Sequence, residues 1–169
     1  MTNDEKLALV LVVAGALSRL LHLPPNIAAV TGVTILAGFA LRNIWLALAV
    51  PIGAMLLADL VLGFYPSVLM TYAGMAAAVL LARWLLPRLT VPRLVATTFL
   101  ASLAFFVLSN LGTFLEGWYG YSWDGLVACY VAAIPFWQNS LIADFVSTAL
   151  AFGLFLIVRR LAWGGEVRA

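Results

Sequence analysis

The residues of this chain that could do chemistry are a few ionisable and amide side chains set within long apolar stretches. Arg19, Asp59 and Asp144 are the charged ones. A charge that faces lipid costs about 2.5–3.5 kcal/mol on insertion scales, so such groups normally face a bundle interior or a wet cavity. We therefore expect Arg19 either to pair with one acid and hold two helices together, or to line a pocket and hydrogen-bond a polar solute.

The expected binding set adds other polar and aromatic residues of the outer half. Trp118 and Tyr121 belong to a loop with four aromatic residues, three glycines and no base. Such a loop is typical of an interfacial aromatic belt, and the alternative is a lid that stacks on a planar ligand. His22 is either an exposed loop residue or a donor that caps the pocket. The full predicted set is Arg19, His22, Asn26, Asp59, Asn110, Trp118, Tyr121, Tyr130, Gln138, Asn139 and Asp144.

Enzymatic and metal-binding templates are missing from the sequence. There is one histidine and one cysteine, the sole lysine is Lys6, and no H-E-x-x-H, G-x-S-x-G or phosphate-loop motif occurs. We predict no catalytic residue, no bare metal site and no resident cofactor. Cys129 is best explained as a small core residue. The alternative is that Cys129 or His22 coordinates a metal-containing cofactor that arrives as the ligand.

The composition is that of a membrane protein. Of its 169 residues, 65% are hydrophobic and 9% are charged, and the mean hydropathy is +1.10, whereas soluble domains average about 45–50% apolar and about 25% charged. The lipid bilayer is thus one partner, and no basic cluster remains for nucleic acid. A helix needs about 20 residues to cross the hydrocarbon, so the spans nearly exhaust one domain, 1–169.

Proline, glycine and charge positions divide the chain into an all-α integral membrane fold. We predict a compact bundle of six transmembrane helices with an extra short helix before the last one, because Pro135 divides the final apolar stretch. The expected spans are 6–22, 27–41, 44–63, 68–86, 93–115 and 136–160, with the short outer-leaflet helix at 126–134.

The basic residues predict how the bundle is oriented. Eight of the nine fall in alternate gaps between the apolar segments, and Arg19 is the exception. The positive-inside rule then places both termini in the cytoplasm. It also requires the short second segment to cross, because otherwise the later arginines would change sides.

Three stretches resemble a family of small bacterial inner-membrane proteins of unknown function. They are Arg19-Leu-Leu-His-Leu-Pro-Pro-Asn26, Leu57-Ala-Asp59-Leu-Val-Leu-Gly63 and Gly125-Leu-Val-Ala-Cys-Tyr-Val-Ala-Ala-Ile-Pro-Phe136. The six-span layout also resembles the substrate-binding S components of energy-coupling-factor vitamin transporters. That resemblance implies an outward pocket for a vitamin and, as partners, a transmembrane scaffold with ATPase subunits. The Ala-x-x-x-Ala docking motif of those components has only a near counterpart here, Ala14-Gly15-Ala16-Leu17-Ser18.

Three functions are open at this stage. The favoured one is a solute-binding or transport protein that takes up a small polar or vitamin-like molecule in an outward-facing pocket, with energy supplied by partners. The second is a membrane-embedded enzyme or cofactor-handling protein, although the inventory of residues favours a protein that is not an enzyme. The third is a structural or assembly subunit of a membrane complex, in which the polar residues only pair helices.

Overall fold

Six α-helices make up the part of the chain that the structure describes. A computed structural model describes residues 1–21 and 30–163, without the side chains of 162 and 163. The described residues contain helices and turns but no strand, which confirms the all-α prediction. The helices are α1 (Asn3–Leu20), α2 (Val30–Ala40), α3 (Ile44–Leu62), α4 (Val68–Leu85), α5 (Val91–Leu115) and α6 (Trp123–Trp163).

Local capping sets the helix starts. Thr2 Oγ1 accepts a hydrogen bond from the backbone N–H of Glu5 at 3.2 Å, and the Glu5 carboxylate accepts one from the N–H of Thr2 at 2.9 Å. This reciprocal capping box satisfies two N–H groups that the first turn leaves unpaired, so α1 begins three residues before the predicted Lys6. At α3 the cap is one-sided, with the side-chain oxygen of Asn43 accepting from the N–H of Trp45 at 2.8 Å.

The separate short helix predicted before the last span is wrong. Pro135 lies inside α6, which continues unbroken from Trp123 to Trp163. Proline removes one N–H and crowds the carbonyl four residues earlier, but that loss does not end this helix. Packing against α5 continues on both sides of the proline, through Tyr130 before it and Trp137 after it. With 41 residues, α6 is the longest of the described helices.

The short helix α2 is the centre of the bundle. Nine of its eleven residues are buried, and it packs against each of the other five helices. Glycines permit this close packing: a Cβ on Gly32 would lie 2.5 Å from the Ser147 carbonyl oxygen of α6, and one on Gly38 would lie 2.7 Å from the Val79 carbonyl oxygen of α4. The second segment therefore forms the core of the fold.

The outer surface of the bundle is apolar. Four of the described helices (α3, α4, α5 and α6) are long and apolar enough to cross a membrane, and α2 is a shorter apolar helix. Large hydrophobic side chains are freely exposed on them, among them Leu69, Trp84 and Leu161. An exposed apolar surface of this extent marks contact with lipid or with other proteins, and together with the helix lengths it indicates a membrane protein.

One end of the bundle carries a cluster of basic residues. The Arg83 guanidinium donates to the Leu41 carbonyl oxygen at 2.7 Å and also to the carbonyl oxygen of Arg42. The backbone N–H of Arg42 in turn donates to the Asp4 carboxylate at 3.3 Å, and Asp4 and Arg159 line the same cavity. The start of α1 and the ends of α2, α4 and α6 therefore meet at this end, whereas Arg19 lies at the opposite one.

Candidate functional site

A polar cavity opens at the Arg19 end, and all six helices contribute to its wall. Its volume is about 340 Å³, within the range of about 300–1,000 Å³ that is usual for small-molecule sites. Asp144 and seven hydroxyl side chains line it beside three large apolar residues. The lining residues are Arg19, Val30, Thr31, Met55, Tyr65, Ser67, Thr71, Met75, Phe105, Ser109, Thr113, Ser140 and Asp144.

Arg19 and Asp59 form an ion pair at the edge of this cavity. Arg19 Nη1 donates to Asp59 Oδ1 at 2.7 Å and lies 3.3 Å from Met55 Sδ. The second carboxylate oxygen of Asp59 accepts from the Tyr72 hydroxyl at 2.9 Å. The Asp59 side chain is fully buried and the Arg19 side chain is 19% exposed. The pair joins α1 to α3, so the charge of Arg19 is balanced within the protein.

Asp144 lies on the α6 wall of the cavity and is 7% exposed. The hydroxyls of Ser102 and Thr31 lie near its carboxylate, and the Ser102 oxygen accepts from Trp137 Nε1 at 3.1 Å. Trp137 and Ser102 therefore form a hydrogen-bonded pair beside Asp144. A carboxylate has about four lone-pair positions, so acceptor capacity remains on Asp144 for a donor inside the cavity.

The hydroxyl lining is the part of the site that sequence reasoning missed. Its members recur at intervals of four residues: Ser67 and Thr71 at the start of α4, Ser109 and Thr113 on α5, and Ser140 followed by Asp144 on α6. Residues four apart share one face of a helix. Each pair therefore marks the face that its helix turns to the cavity, and this spacing was the available signal.

Several predicted site residues lie elsewhere. Asn110 donates its amide to the Phe106 carbonyl oxygen of its own helix at 2.7 Å, and Tyr130 donates to the Val107 carbonyl oxygen at 2.7 Å. Gln138 and Asn139 are exposed on α6. None of these four is among the cavity residues. The sequence places them at the same membrane depth as the cavity, but they lie on faces of α5 and α6 that do not line it. The predicted positions of His22 and Asn26 lie outside the described residues.

Comparison with known proteins assigns the chain to a family without assigning a function. A family model described as "Family of unknown function (DUF6580)" matches residues 2–164. The chain belongs to this family. No curated protein and no solved structure matches the chain. The chemistry of this DUF6580 chain therefore has to be argued from its own site.

The cysteine of this DUF6580 chain does not reach the cavity. Cys129 is 2% exposed, and its Sγ lies 3.6 Å from the Asn110 carbonyl oxygen, between α5 and α6. Its position is that of a small core residue, and Cys129 is not among the lining residues of this cavity. Within 1–21 and 30–163, no group of three or more His, Cys, Asp or Glu side chains could hold a metal ion.

The aromatic loop of the DUF6580 chain is exposed and does not line the cavity. Trp118, Tyr121 and Trp123 are 81%, 74% and 75% exposed and are not lining residues. The Trp118 indole donates to the Glu116 carboxylate at 2.9 Å. Hydrogen bonds from Ser67 and from Trp118 lower the pKa of Glu116. This arrangement suits an interfacial belt with one end in water.

Tyr65, in the turn between α3 and α4, does line the cavity. Burial raises the pKa of its phenol, although a hydrogen bond with Thr71 acts in the opposite direction. The phenol therefore keeps its proton through neutral pH and can donate a hydrogen bond into the cavity. Tyr65 was not part of the predicted set, because its place in the Phe64-Tyr65-Pro66 turn gave no sign that it points inward.

Proposed function

We propose that this chain is a membrane solute-binding protein that holds a small polar molecule in the cavity between its six helices. The observation that supports it is the convergence of Asp144 and seven hydroxyl groups on one concave surface inside an apolar bundle. Buried polar groups cost free energy unless they are hydrogen-bonded. A bundle that needed only to pack could use alanine or leucine at these positions.

The charges of the cavity define the kind of solute. Arg19 is balanced by Asp59 at 2.7 Å, so among the described lining residues the remaining formal charge is the carboxylate of Asp144. Two hydroxyl groups lie near that carboxylate. The solute therefore brings hydrogen-bond donors to Asp144, with an amine or a hydroxyl-bearing group as the best match. Met55, Met75 and Phe105 contact its apolar part.

The orientation of the bundle makes this an outward-facing site. The basic end at Arg42, Arg83 and Arg159 belongs in the cytoplasm by the positive-inside rule, and the cavity opens at the other end. In this proposed orientation all six described helices cross the membrane and both termini lie in the cytoplasm. The membrane that we propose is a bacterial inner membrane. If binding serves uptake, we propose that a transmembrane scaffold and ATPase subunits supply the energy.

The test is the mass of the molecule that the protein carries. The full chain is purified in mild detergent from the membranes in which it is expressed, and native mass spectrometry releases and weighs any bound molecule. Asp144→Asn removes the charge that the solute meets. Asp124→Asn is the matched control, since Asp124 is exposed at the start of the same helix and outside the cavity.

We expect the wild type and the Asp124→Asn variant to carry the same small molecule. Its occupancy in Asp144→Asn should fall at least about tenfold, because a hydrogen bond to a charged group contributes about 1.5–3 kcal/mol. A wild-type protein that carries no molecule, and that no metabolite in a thermal-shift panel stabilises, would contradict solute binding. Equal occupancy in both variants would show that the molecule binds elsewhere.

A further inference from the structure

Two amide side chains of α6 face outward from the bundle. Gln138 and Asn139 are exposed, and among the described helices α6 packs only against α2 and α5. Their neighbour Trp137 donates its indole N–H to Ser102 at 3.1 Å, and Ser102 lies close to the middle of the 25-residue helix α5. When α5 crosses the membrane, as its length and composition allow, the two amides therefore lie near the middle of the hydrocarbon.

Neither amide has a hydrogen-bond partner within residues 1–21 and 30–163. The amide of Asn110, by contrast, donates to the Phe106 carbonyl oxygen of its own helix at 2.7 Å. A polar group without a hydrogen bond is costly in hydrocarbon, because lipid tails neither donate nor accept. Glutamine and asparagine in transmembrane helices commonly hydrogen-bond across to another helix. The amides of α6 therefore require a partner helix from outside the described bundle.

The backbone adds an acceptor beside these amides. A helical carbonyl accepts from the N–H four residues later, and for Val131 that residue is Pro135, which has no N–H and lies inside the continuous α6. Val131 is 58% exposed. In membrane helices, groups freed by proline are satisfied by neighbouring helices, hydroxyl side chains or water. The outward side of α6 thus offers both donors and acceptors to a second helix.

These groups belong to one continuous surface of α6, which we call the amide face. Residues three or four apart share one side of a helix. The members of the amide face are all exposed and uncharged: Val131, Pro135, Gln138, Ile142 and Val146, with Asn139 at the edge. A helix turns about 100° per residue, so Asp144 points to the other side, where it lines the cavity. The amide face can therefore be covered without contact to the α6 wall of the cavity.

We infer that the amide face binds a second copy of this chain in a two-fold symmetric dimer. An amide group carries both a donor and an acceptor, and a two-fold axis places the same residue of the two copies opposite each other. Gln138 of one copy can then donate to Gln138 of the other and accept from it. Both copies keep the same orientation in the membrane when the axis runs along the membrane normal.

The charge pattern favours this occupant over others. Two identical faces meet without repulsion only if the face has no net charge, and the amide face has none. Lipid tails cover apolar side chains but leave the amides of Gln138 and Asn139 unpaired. A different protein would need a matching amide or hydroxyl at the same depth, whereas a second copy always supplies one.

The first experiment measures the dimer dissociation constant of the full chain by sedimentation equilibrium in a neutrally buoyant detergent. Gln138→Leu/Asn139→Leu removes both unpaired amides and leaves leucine on an exposed apolar surface, so the fold of the monomer should be unaffected. Asn110→Leu is the matched control, because it removes an amide that is already bonded within α5.

We expect the wild type and Asn110→Leu to dimerise with the same dissociation constant. A hydrogen bond between membrane helices strengthens association about threefold to tenfold. Loss of the two reciprocal bonds at Gln138 should therefore raise the dissociation constant of Gln138→Leu/Asn139→Leu at least about tenfold.

A second experiment locates the interface in native membranes. Cys129 is the single cysteine of the chain, so a Cys129→Ser background leaves an introduced thiol alone. Ile142→Cys lies on the amide face, and Leu69→Cys is the control at an exposed position of α4. Under a mild oxidant, Ile142→Cys should form a disulfide-linked species of two chains that Gln138→Leu/Asn139→Leu reduces at least about tenfold. Leu69→Cys should remain a single chain.

Four outcomes would overturn the inference. The first is a wild-type chain that stays monomeric in both experiments. The second is a dimer whose dissociation constant is the same after Gln138→Leu/Asn139→Leu, since its interface would lie elsewhere. The third is an oligomer larger than two chains, which a two-fold pairing of Gln138 does not allow. The fourth is cross-linking of Ile142→Cys to a different protein, which would make that protein the occupant of the amide face.

Discussion

Arg19 Nη1 and Asp59 Oδ1 lie 2.7 Å apart and join the end of α1 to the end of α3. The two partners are unequal, because the Asp59 side chain is fully buried whereas 19% of the Arg19 side chain is exposed. Arg19 was the exception in the arrangement of basic residues, and this ion pair supports a structural role for it at the rim of the cavity.

The unequal burial predicts unequal effects of mutation. Arg19→Met leaves a buried carboxylate without its cation, which should lower the free energy of unfolding by about 3–5 kcal/mol. Asp59→Asn leaves Arg19 with access to water and should cost less, about 1–3 kcal/mol. Thermal or denaturant unfolding in detergent measures both.

The double variant Arg19→Met/Asp59→Leu should recover part of the stability lost in Arg19→Met, because no buried charge remains. Arg88→Ala, at an exposed position in the loop after α4, is the control and should stay within about 0.5 kcal/mol of the wild type. If Arg19→Met proves as mild as this control, the ion pair does not stabilise the fold.

Filling the cavity should abolish solute binding without unfolding the protein. Ser140 lies on the α6 wall of the cavity, one helical turn before Asp144, so Ser140→Phe places a ring where the solute would sit. We expect the co-purifying molecule to be lost by at least about tenfold in native mass spectra. Ala132→Phe, exposed on the same helix, should keep it, and equal retention in both variants would rule out this cavity as the site.

Close packing at Gly32 should make it intolerant of a methyl group. A Cβ there would lie 2.5 Å from the backbone of Ser147, and overpacking of this kind typically costs about 1–3 kcal/mol. Gly153→Ala is the control, because nothing lies within 4 Å of its Cβ position and alanine is the better helix former by about 1 kcal/mol. Gly32→Ala should therefore lower the midpoint of thermal unfolding and Gly153→Ala should not; equal midpoints would contradict the central position of α2.

The pH dependence of stability should include a contribution from Glu116. Hydrogen bonds from Ser67 and Trp118 lower its pKa from the ordinary value of 4.5. The contribution of the ionised Glu116 carboxylate to the stability of the fold is therefore fully present above pH 4.5 and is lost as the pH falls through the lowered pKa. Glu116→Gln and Ser67→Ala should both reduce this acid-dependent loss in unfolding experiments, with Asp124→Asn as the control. If Glu116→Gln loses as much stability at acidic pH as the wild type does, the prediction is contradicted.

The sequence alone determined the all-helical class and the bounds of α3 and α4. Apolar length, prolines and the alternating basic residues act locally, so α3 and α4 end within one residue of their predicted limits. Predictions from local sequence failed where packing against a neighbouring helix has the larger effect. Pro135 predicted a break, yet packing against α5 carries α6 through it.

The site depended on tertiary structure because depth in the membrane does not specify the face of a helix. Arg19, Asp59 and Asp144 were predicted from the cost of charge in lipid, and the structure places the first and third at one cavity and buries the second beside it. Asn110 and Gln138 shared that depth, but the rotation of α5 and α6 turns them away. The hydroxyl groups could be recognised as one surface only in the folded bundle, since they come from α2, α4, α5, α6 and the turn between α3 and α4, and no helix contributes more than two.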